Sequence, residues 1–72
     1  MNQEYFVIVT NTGRNWAAHA PDVPGCVATG KTEKECLRLF QEALDLHFRG
    51  LREDGLAIPQ PSAHVHTVRI AA

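Results

Sequence analysis

The sequence lacks an excess of charge of either sign, since seven Lys and Arg residues stand against eight Asp and Glu for a formal net charge of −1. A protein that binds nucleic acid with its own surface usually carries a strongly basic patch, because neutralisation of phosphates dominates its affinity. Disordered acidic tails have a large net negative charge instead. The charge balance therefore argues against both classes and favours a globular chain.

Long apolar runs are lacking as well. No stretch of the sequence approaches the ~20 apolar residues that a helix needs to cross a bilayer. The N-terminus has neither a basic region nor an apolar stretch of signal-peptide length. We therefore expect a cytoplasmic protein. In that reducing compartment the two cysteines, Cys26 and Cys36, are expected to be packed side chains rather than a disulfide.

The chain is short, and its 72 residues predict a single domain over residues 1–72. A chain of this size buries only about 60% of the surface that its unfolded form exposes, so its margin of stability is small. Small domains often gain stability from assembly. We therefore expect a homo-oligomer, either a dimer or a tetramer.

The composition predicts three strands before a helix and one after it. Residues 4–11 are rich in β-branched and aromatic side chains and have apolar residues on both faces. A turn at Gly13 leads to a second predicted strand over residues 15–20, and residues 26–29 predict a third. Residues 63–70 have the composition of a last strand.

Turn and capping residues separate these elements. Proline lacks the backbone N–H that strand pairing uses, so the two prolines after the second strand predict a rigid turn. Thr32 and Glu35 have the spacing of a capping box at a helix start. Gly55 is suited to the position after the helix end. The residues with predicted roles in turns and caps are Pro21, Asp22, Pro24, Gly25, Gly30, Thr32, Glu35 and Gly55.

The predicted helix has a core-facing stripe and additional apolar residues elsewhere. Apolar residues recur at helical spacing at Leu37, Phe40, Leu44, Phe48 and Leu51. Leu39 and Leu46 lie farther round the helix, which favours a protein-binding surface. The order β-β-β-α-β predicts an α+β fold in two layers, with one helix packed on a mainly antiparallel sheet.

The sequence shows no convergent catalytic or metal-binding set. His64 and His66 share one face of the predicted last strand, but the closely spaced ligand pairs typical of zinc sites are lacking. Residues 25–32 match the G-x4-G-K-T spacing of a phosphate-binding loop, yet the residues between the glycines predict a strand. We therefore predict no catalytic residue, no metal and no cofactor.

Two stretches resemble a known family. Residues 19–32, HAPDVPGCVATGKT, and residues 54–62, DGLAIPQPS, are similar to the N-terminal domain of HicB-type antitoxins. That domain typically shows a P-D-[LV]-P-G-C turn, a G-x-T-x-x-E-A helix start and a D-G-x-x-I-P-x-P-S exit. The resemblance covers the chain from about Tyr5 to Ile70. It implies a partial ribonuclease H-like fold with the same β-β-β-α-β order.

The resemblance also implies a function. HicB-type antitoxins are not enzymes; they bind and neutralise a small basic mRNA-cleaving toxin of the HicA type. Full-length members usually add a C-terminal DNA-binding domain, and since this sequence ends at Ala72 without one, we expect no direct DNA binding. No membrane partner is expected. The candidate partner-binding residues are the apolar Leu39, Leu46, Phe6 and Ile8 and the acidic Asp22, Glu42 and Asp45.

Two alternative functions stay open at the level of the sequence. One is a stand-alone oligomeric protein of this fold that binds a small ligand in a groove between subunits. The other is a small metal-dependent nuclease or hydrolase that uses Asp22 and the histidines.

Overall fold

In a computed structural model of the chain, which describes residues 3–71, three strands are followed by one helix. The strands β1 (Ile8–Asn11), β2 (Trp16–Ala20) and β3 (Val23–Gly30) form an antiparallel sheet in the order β1-β2-β3. The helix α1 (Glu33–Glu53) packs on one face of the sheet. This arrangement confirms the predicted two-layer α+β fold.

The core lies between α1 and the sheet. Its largest fully buried side chains are Phe40 and Cys36 from the helix and Val23 from β3. Both Ala18 and Ala20 are buried on β2, where their small side chains leave room for the larger residues of the helix. The remaining buried members are Cys26 and Leu44, and the half-buried residues that pack against the cluster include Tyr5, Val7, Val9 and Phe48.

The turn between β2 and β3 is tighter than the sequence predicts. Only Pro21 and Asp22 lie between the strands, because Ala20 already pairs with Val23. The next pair joins residue 19 to residue 27, so residues 24–26 form a bulge within β3. The prediction that residues 21–25 all separate two strands was therefore wrong. A bulge in an edge strand tolerates proline, since no ladder bond is required of its missing N–H.

The start of α1 confirms the predicted capping box. The Glu35 N–H donates to Thr32 Oγ1 at 3.0 Å, and the Lys31 N–H donates to Glu35 Oε1 at 3.1 Å. Gly30 allows the helix to begin this close to β3, because a Cβ there would lie 2.7 Å from the Cys36 backbone nitrogen. The glycine is thus required by close packing.

The end of α1 is a Schellman motif centred on Gly55, as predicted. Gly55 has a φ of 68°, which places it in the left-handed region. Its N–H donates to the Arg52 carbonyl at 3.1 Å, and the Leu56 N–H donates to the Leu51 carbonyl at 2.8 Å. These bonds satisfy two of the carbonyl groups left free at the helix end and direct the chain away from the helix axis.

The first strand is shorter than predicted. The sequence predicts a strand over residues 4–11, but pairing with β2 begins at Ile8, opposite His19. Only one residue of β2 remains before Pro21, so the residues before Ile8 have almost no partner. Residues 4–7 nevertheless keep an alternating pattern, in which residues 5 and 7 are half-buried and residues 4 and 6 are exposed.

The predicted last strand does not form within this chain. Residues 56–71 contain neither helix nor strand, and residues 64–71 are all exposed. Val68 and Ile70 are 79% and 76% exposed. Strand-forming composition is not sufficient, because a strand exists only where a neighbouring backbone pairs with it. The described part of the chain therefore has a β-β-β-α order, and its sheet has three strands rather than four.

Candidate partner-binding surface

The face of the sheet opposite α1 is uncovered in the structure of residues 3–71. Ala18 points into the core, so its neighbour His19 points outward, and the strand register places Ile8 and Val27 on either side of His19. Ile8 is 44% exposed, Val27 is 70% exposed, and Phe6, two residues before Ile8, is 49% exposed. We call Phe6, Ile8, His19 and Val27 the outer sheet patch.

The side chains that border this patch are small and weakly polar. The next row across the sheet consists of Thr10, Ala17 and Thr29, which are paired neighbours on β1, β2 and β3. An apolar centre with a polar border is the usual composition of a protein-binding surface. The patch therefore has the chemistry of a contact site for another protein.

Sequence reasoning found only part of the patch. Phe6 and Ile8 were candidates because residues 4–11 have two apolar faces. Val27 was missed because the sequence does not give the register that sets it beside His19, across from Ile8. The available signal was its position next to Cys26, which faces the core, since neighbouring residues of a strand point to opposite sides.

The candidate residues on α1 lie away from the patch. Leu46 is 66% exposed, whereas Leu39 is half-buried. Glu42 accepts a hydrogen bond from Arg38 at 2.8 Å, and both side chains of this ion pair are exposed. Asp45 accepts a hydrogen bond from an amide one turn earlier at 3.3 Å. The seven candidates are therefore not gathered in one site.

Asp22 has a structural role in this fold. Its carboxylate accepts hydrogen bonds from the Ser62 N–H, the Ser62 hydroxyl and the Ala63 N–H, each at 3.0 Å. The Ala63 N–H, followed by the Ser62 N–H, holds the pKa of Asp22 below its ordinary value, because both bonds favour the charged form. We call these three residues the Asp22 clasp.

The clasp joins the two stretches that carry the family resemblance. Asp22 belongs to the stretch over residues 19–32, and Ser62 ends the stretch over residues 54–62. The chain between α1 and the clasp is also held by Tyr5, whose hydroxyl donates to the Pro59 carbonyl. The two motifs therefore act together as scaffold, because one supplies the acceptor and the other supplies the two donors of Ser62.

The cysteines have packing roles. Cys26 and Cys36 are buried and free, and burial raises the pKa of the Cys26 thiol. The Cys36 thiol lies 3.7 Å from the Ala28 carbonyl oxygen. His19 cannot act as a base toward Cys26, because the two side chains point to opposite faces of the sheet. A thiol nucleophile would need such a base in contact.

The other chemical candidates are not assembled either. No group of three His, Cys, Asp or Glu side chains within residues 3–71 is close enough to hold a metal ion. Residues 26–29 lie in β3, so the G-x4-G-K-T stretch does not form the loop that phosphate binding needs. In that same part of the chain, no helix combines the length and the apolar character needed to span a membrane.

A groove of about 800 Å³ lies between residues 3–7, α1 and residues 58–60. Its apolar lining is contributed by Tyr5, Val7, Leu44, Phe48 and Ile58. Charged and amide side chains, among them Glu4, Gln41, Asp45 and Arg52, complete the lining. Tyr5 and Phe48 are in contact, with ring centroids 5.3 Å apart. The groove is distinct from the outer sheet patch, since Tyr5 and Val7 point to the helix side of the sheet.

Comparison with known proteins decides the family. The family model described as the HicB-like antitoxin of bacterial toxin–antitoxin systems matches residues 5–70. This chain belongs to the HicB-like antitoxin family. The match confirms the resemblance read from the two stretches, and a toxin is the kind of partner that the family implies. The family also points to a non-enzymatic role.

Three relatives of this HicB-like chain illustrate the family. Antitoxin HicB 2 of Photorhabdus laumondii is 36% identical over 61 residues, which are 85% of this chain and 44% of the relative. A UPF0150 protein of Thermoplasma acidophilum is 33% identical over 66 residues, 90% of this chain and 96% of the relative. A 14.9 kDa protein from the rep–hol intergenic region of Haemophilus phage HP1 is 30% identical over 56 residues, 78% of this chain and 42% of the relative.

The HicB-like chain therefore spans less than half the length of two of these relatives and nearly the whole of the third. No solved structure matches it.

Proposed function

We propose that this chain is a non-enzymatic antitoxin module that binds and neutralises a small basic toxin of the HicA type. The observation that carries the proposal is the outer sheet patch, an uncovered apolar surface on a member of an antitoxin family. Val27 and Ile8 present apolar area on either side of His19, and association buries such area favourably. The toxin lies against this face, and the antitoxin thereby blocks the toxin's catalytic surface.

The patch supports toxin contact better than α1 does. On the helix, Leu46 stands among charged side chains, and Glu42 is already paired with Arg38. Exposed ion pairs of this kind add little affinity, because water screens them. The acidic Glu42 and Asp45 stay outside the proposed contact, because they lie on α1, away from the outer sheet patch.

Asp22 is not part of the proposed contact with the toxin. Its carboxylate already accepts three hydrogen bonds in the clasp, so a basic toxin residue would have to compete with them. The same bonds count against the alternative of a nuclease, since they occupy the carboxylate that such an enzyme would use for a metal.

The remaining parts of the proposal concern assembly and location. We propose that the chain is a single HicB-like domain, acts in the cytoplasm and associates into a homo-oligomer. Support for association comes from the exposed apolar side chains after the clasp, Val65, Val68 and Ile70. A partial ribonuclease H-like fold is part of the same proposal, because the β-β-β-α-β order of that fold needs a fourth strand on the sheet.

A growth assay tests the proposed function. The chain is expressed together with a small basic protein encoded next to its gene, whose expression alone stops growth. We expect the wild-type chain to restore growth and to be recovered with the toxin in a pull-down. Val27→Asp, which puts a charge at the most exposed apolar side chain of the patch, should fail in both assays.

Leu46→Asp is the matched control, because Leu46 is exposed to a similar extent on the opposite layer. It should restore growth as the wild type does. Circular dichroism of both variants checks that each is folded. Absence of rescue by the wild-type chain, or equal rescue by Val27→Asp, would contradict the proposal.

A further inference from the structure

We propose that residues 63–70 of one chain add a fourth strand to the sheet of a second copy, at the open edge of β1, and that the exchange is reciprocal. The inference rests on the self-association proposed above and names the surfaces that carry it. It does not depend on toxin binding.

The donor is a strand-like segment without a partner. Four of its eight residues, Val65, Thr67, Val68 and Ile70, are β-branched. Val65 is 64% exposed, and the exposure of Val68 and Ile70 is still higher. The Ala63 N–H is held by Asp22, but within residues 3–71 no strand pairs with residues 64–70, so the backbone of these residues is available to another chain.

The acceptor is the edge of β1. This strand has β2 on one side only, and residues 4–7, which precede it, keep the alternating exposure of a strand. The edge over residues 4–11 is as long as the donor over residues 63–70. At the opposite edge of the sheet, Pro24 and the bulge at Gly25 interrupt β3 and make it a poor template. The β1 edge is therefore the one that can accept a strand.

The groove beside residues 3–7 supplies the apolar floor that an added strand needs. Tyr5, Val7 and Phe48 line it, and its volume of about 800 Å³ leaves space for side chains from the new strand. Its lining also carries Glu4 and Asp45 against one cation, Arg52, so its charge is opposite in sign to Arg69 of the donor. A strand laid along β1 thus finds both backbone partners and apolar contacts.

The Asp22 clasp leads the donor away from its own β1. The chain passes Tyr5 at Pro59, but Ser62 and Ala63 are then fixed to Asp22, beyond the end of β2. A strand added at the open edge of β1 would lie about 10 Å from β2, which is two strand spacings. One extended residue spans about 3.3 Å. A strand paired within its own chain would therefore spend about three residues after Ala63 in reaching β1, whereas a second copy can receive the segment over its full length in a symmetric contact.

Sedimentation velocity and hydrogen exchange of the full chain test the exchange. We expect a dimer or larger assembly in which the backbone amides of residues 64–70 are protected. Val68→Pro removes a backbone N–H and should shift the protein toward monomer and abolish that protection. Leu46→Asp, which changes an exposed residue outside the groove, should leave both readouts unchanged.

Three results would contradict the strand exchange, and each has a different consequence for self-association. An assembly that Val68→Pro leaves intact, with residues 64–70 unprotected, would reject the exchange and keep self-association through another surface. A monomer with unprotected amides would reject both. A monomer with protected amides would show that the segment pairs within its own chain. Toxin binding is judged separately by the pull-down.

Discussion

Two valines illustrate the difference between the first and last parts of this molecule. Val23 at the start of β3 is 1% exposed, whereas Val68 after the clasp is 79% exposed. The prolines around Val23 predict a turn and the residues around Val68 predict a strand, yet only Val23 lies in a strand. The region from β1 to the end of α1 contains the buried core, whereas residues 64–71 are all exposed. Composition alone therefore does not decide whether a segment is a strand. A segment becomes one only where the backbone of a neighbouring strand pairs with it.

Phe40→Ala disrupts the core of the region from β1 to α1 and has the largest expected effect on stability. Phe40 is 1% exposed at the centre of the core, and its truncation leaves a cavity. We expect the free energy of unfolding to fall by about 3–5 kcal/mol, a large share of the total for so small a chain. Urea denaturation followed by circular dichroism measures it.

The matched change in the other region is Val68→Ala, made at concentrations where the chain is monomeric. There it should alter the free energy of unfolding by less than about 0.5 kcal/mol, because Val68 has few contacts to lose. Equal losses in the two variants would show that the contrast between the regions is not real.

Gly30→Ala tests the close approach between β3 and α1. The added Cβ would lie 2.7 Å and 2.9 Å from the backbone N and Cα of Cys36, so the helix start must move. We expect a loss of about 1–3 kcal/mol in the free energy of unfolding, the usual cost of overpacking. Thermal denaturation at several urea concentrations is a suitable measurement.

Gly50→Ala is the control for that substitution. Gly50 lies inside α1, and nothing stands within 4 Å of an added Cβ. Alanine there should stabilise the protein by about 0.5–1 kcal/mol through helix propensity. Should Gly30→Ala also stabilise, the close packing inferred at the helix start would be refuted.

Asp22→Asn tests the link between the two regions and has the smallest expected effect on stability. The folded-state pKa of Asp22 lies below its ordinary value, chiefly because the Ala63 and Ser62 N–H groups bond to the carboxylate. The clasp is therefore complete above the ordinary carboxyl pKa and is lost as the pH falls through the lowered pKa. The protection factors of the Ser62 and Ala63 amides, taken relative to the intrinsic exchange rate at each pH, should fall on acidification.

In Asp22→Asn the amides of Ser62 and Ala63 should exchange quickly even at neutral pH, since the charged acceptor is gone. Asp45→Asn, which alters an exposed carboxylate outside the clasp, should leave their exchange unchanged. Continued protection of both amides in Asp22→Asn would show that the clasp does not hold this segment.

The parts of the fold that follow from nearby residues were predictable. The cap at Thr32 and the helix end at Gly55 rest on hydrogen bonds between residues at most five apart, and short patterns reveal them. The bulge at Gly25 depends on the register between β2 and β3. The missing fourth strand likewise depends on which edge a segment can reach, and one sequence does not specify that.

The candidate site shows the same division. Phe6 and Ile8 were found because an alternating pattern within one strand has two apolar faces. Val27 joins them only through pairing across β2. Asp22 was interpreted both as a turn residue and as a partner contact, and its role in the clasp depends on Ser62, forty residues away. Family resemblance found both stretches but not the contact between them.

The central claim is that the outer sheet patch binds the toxin, and calorimetric titration of the purified toxin into three proteins tests it most directly. The wild-type chain and Leu46→Asp should bind with the same Kd. Val27→Asp should bind at least about tenfold more weakly, a difference of about 1.4 kcal/mol, because it places a charge within the apolar contact. Unchanged affinity of Val27→Asp, together with weaker binding of Leu46→Asp, would contradict the account and move the contact to α1.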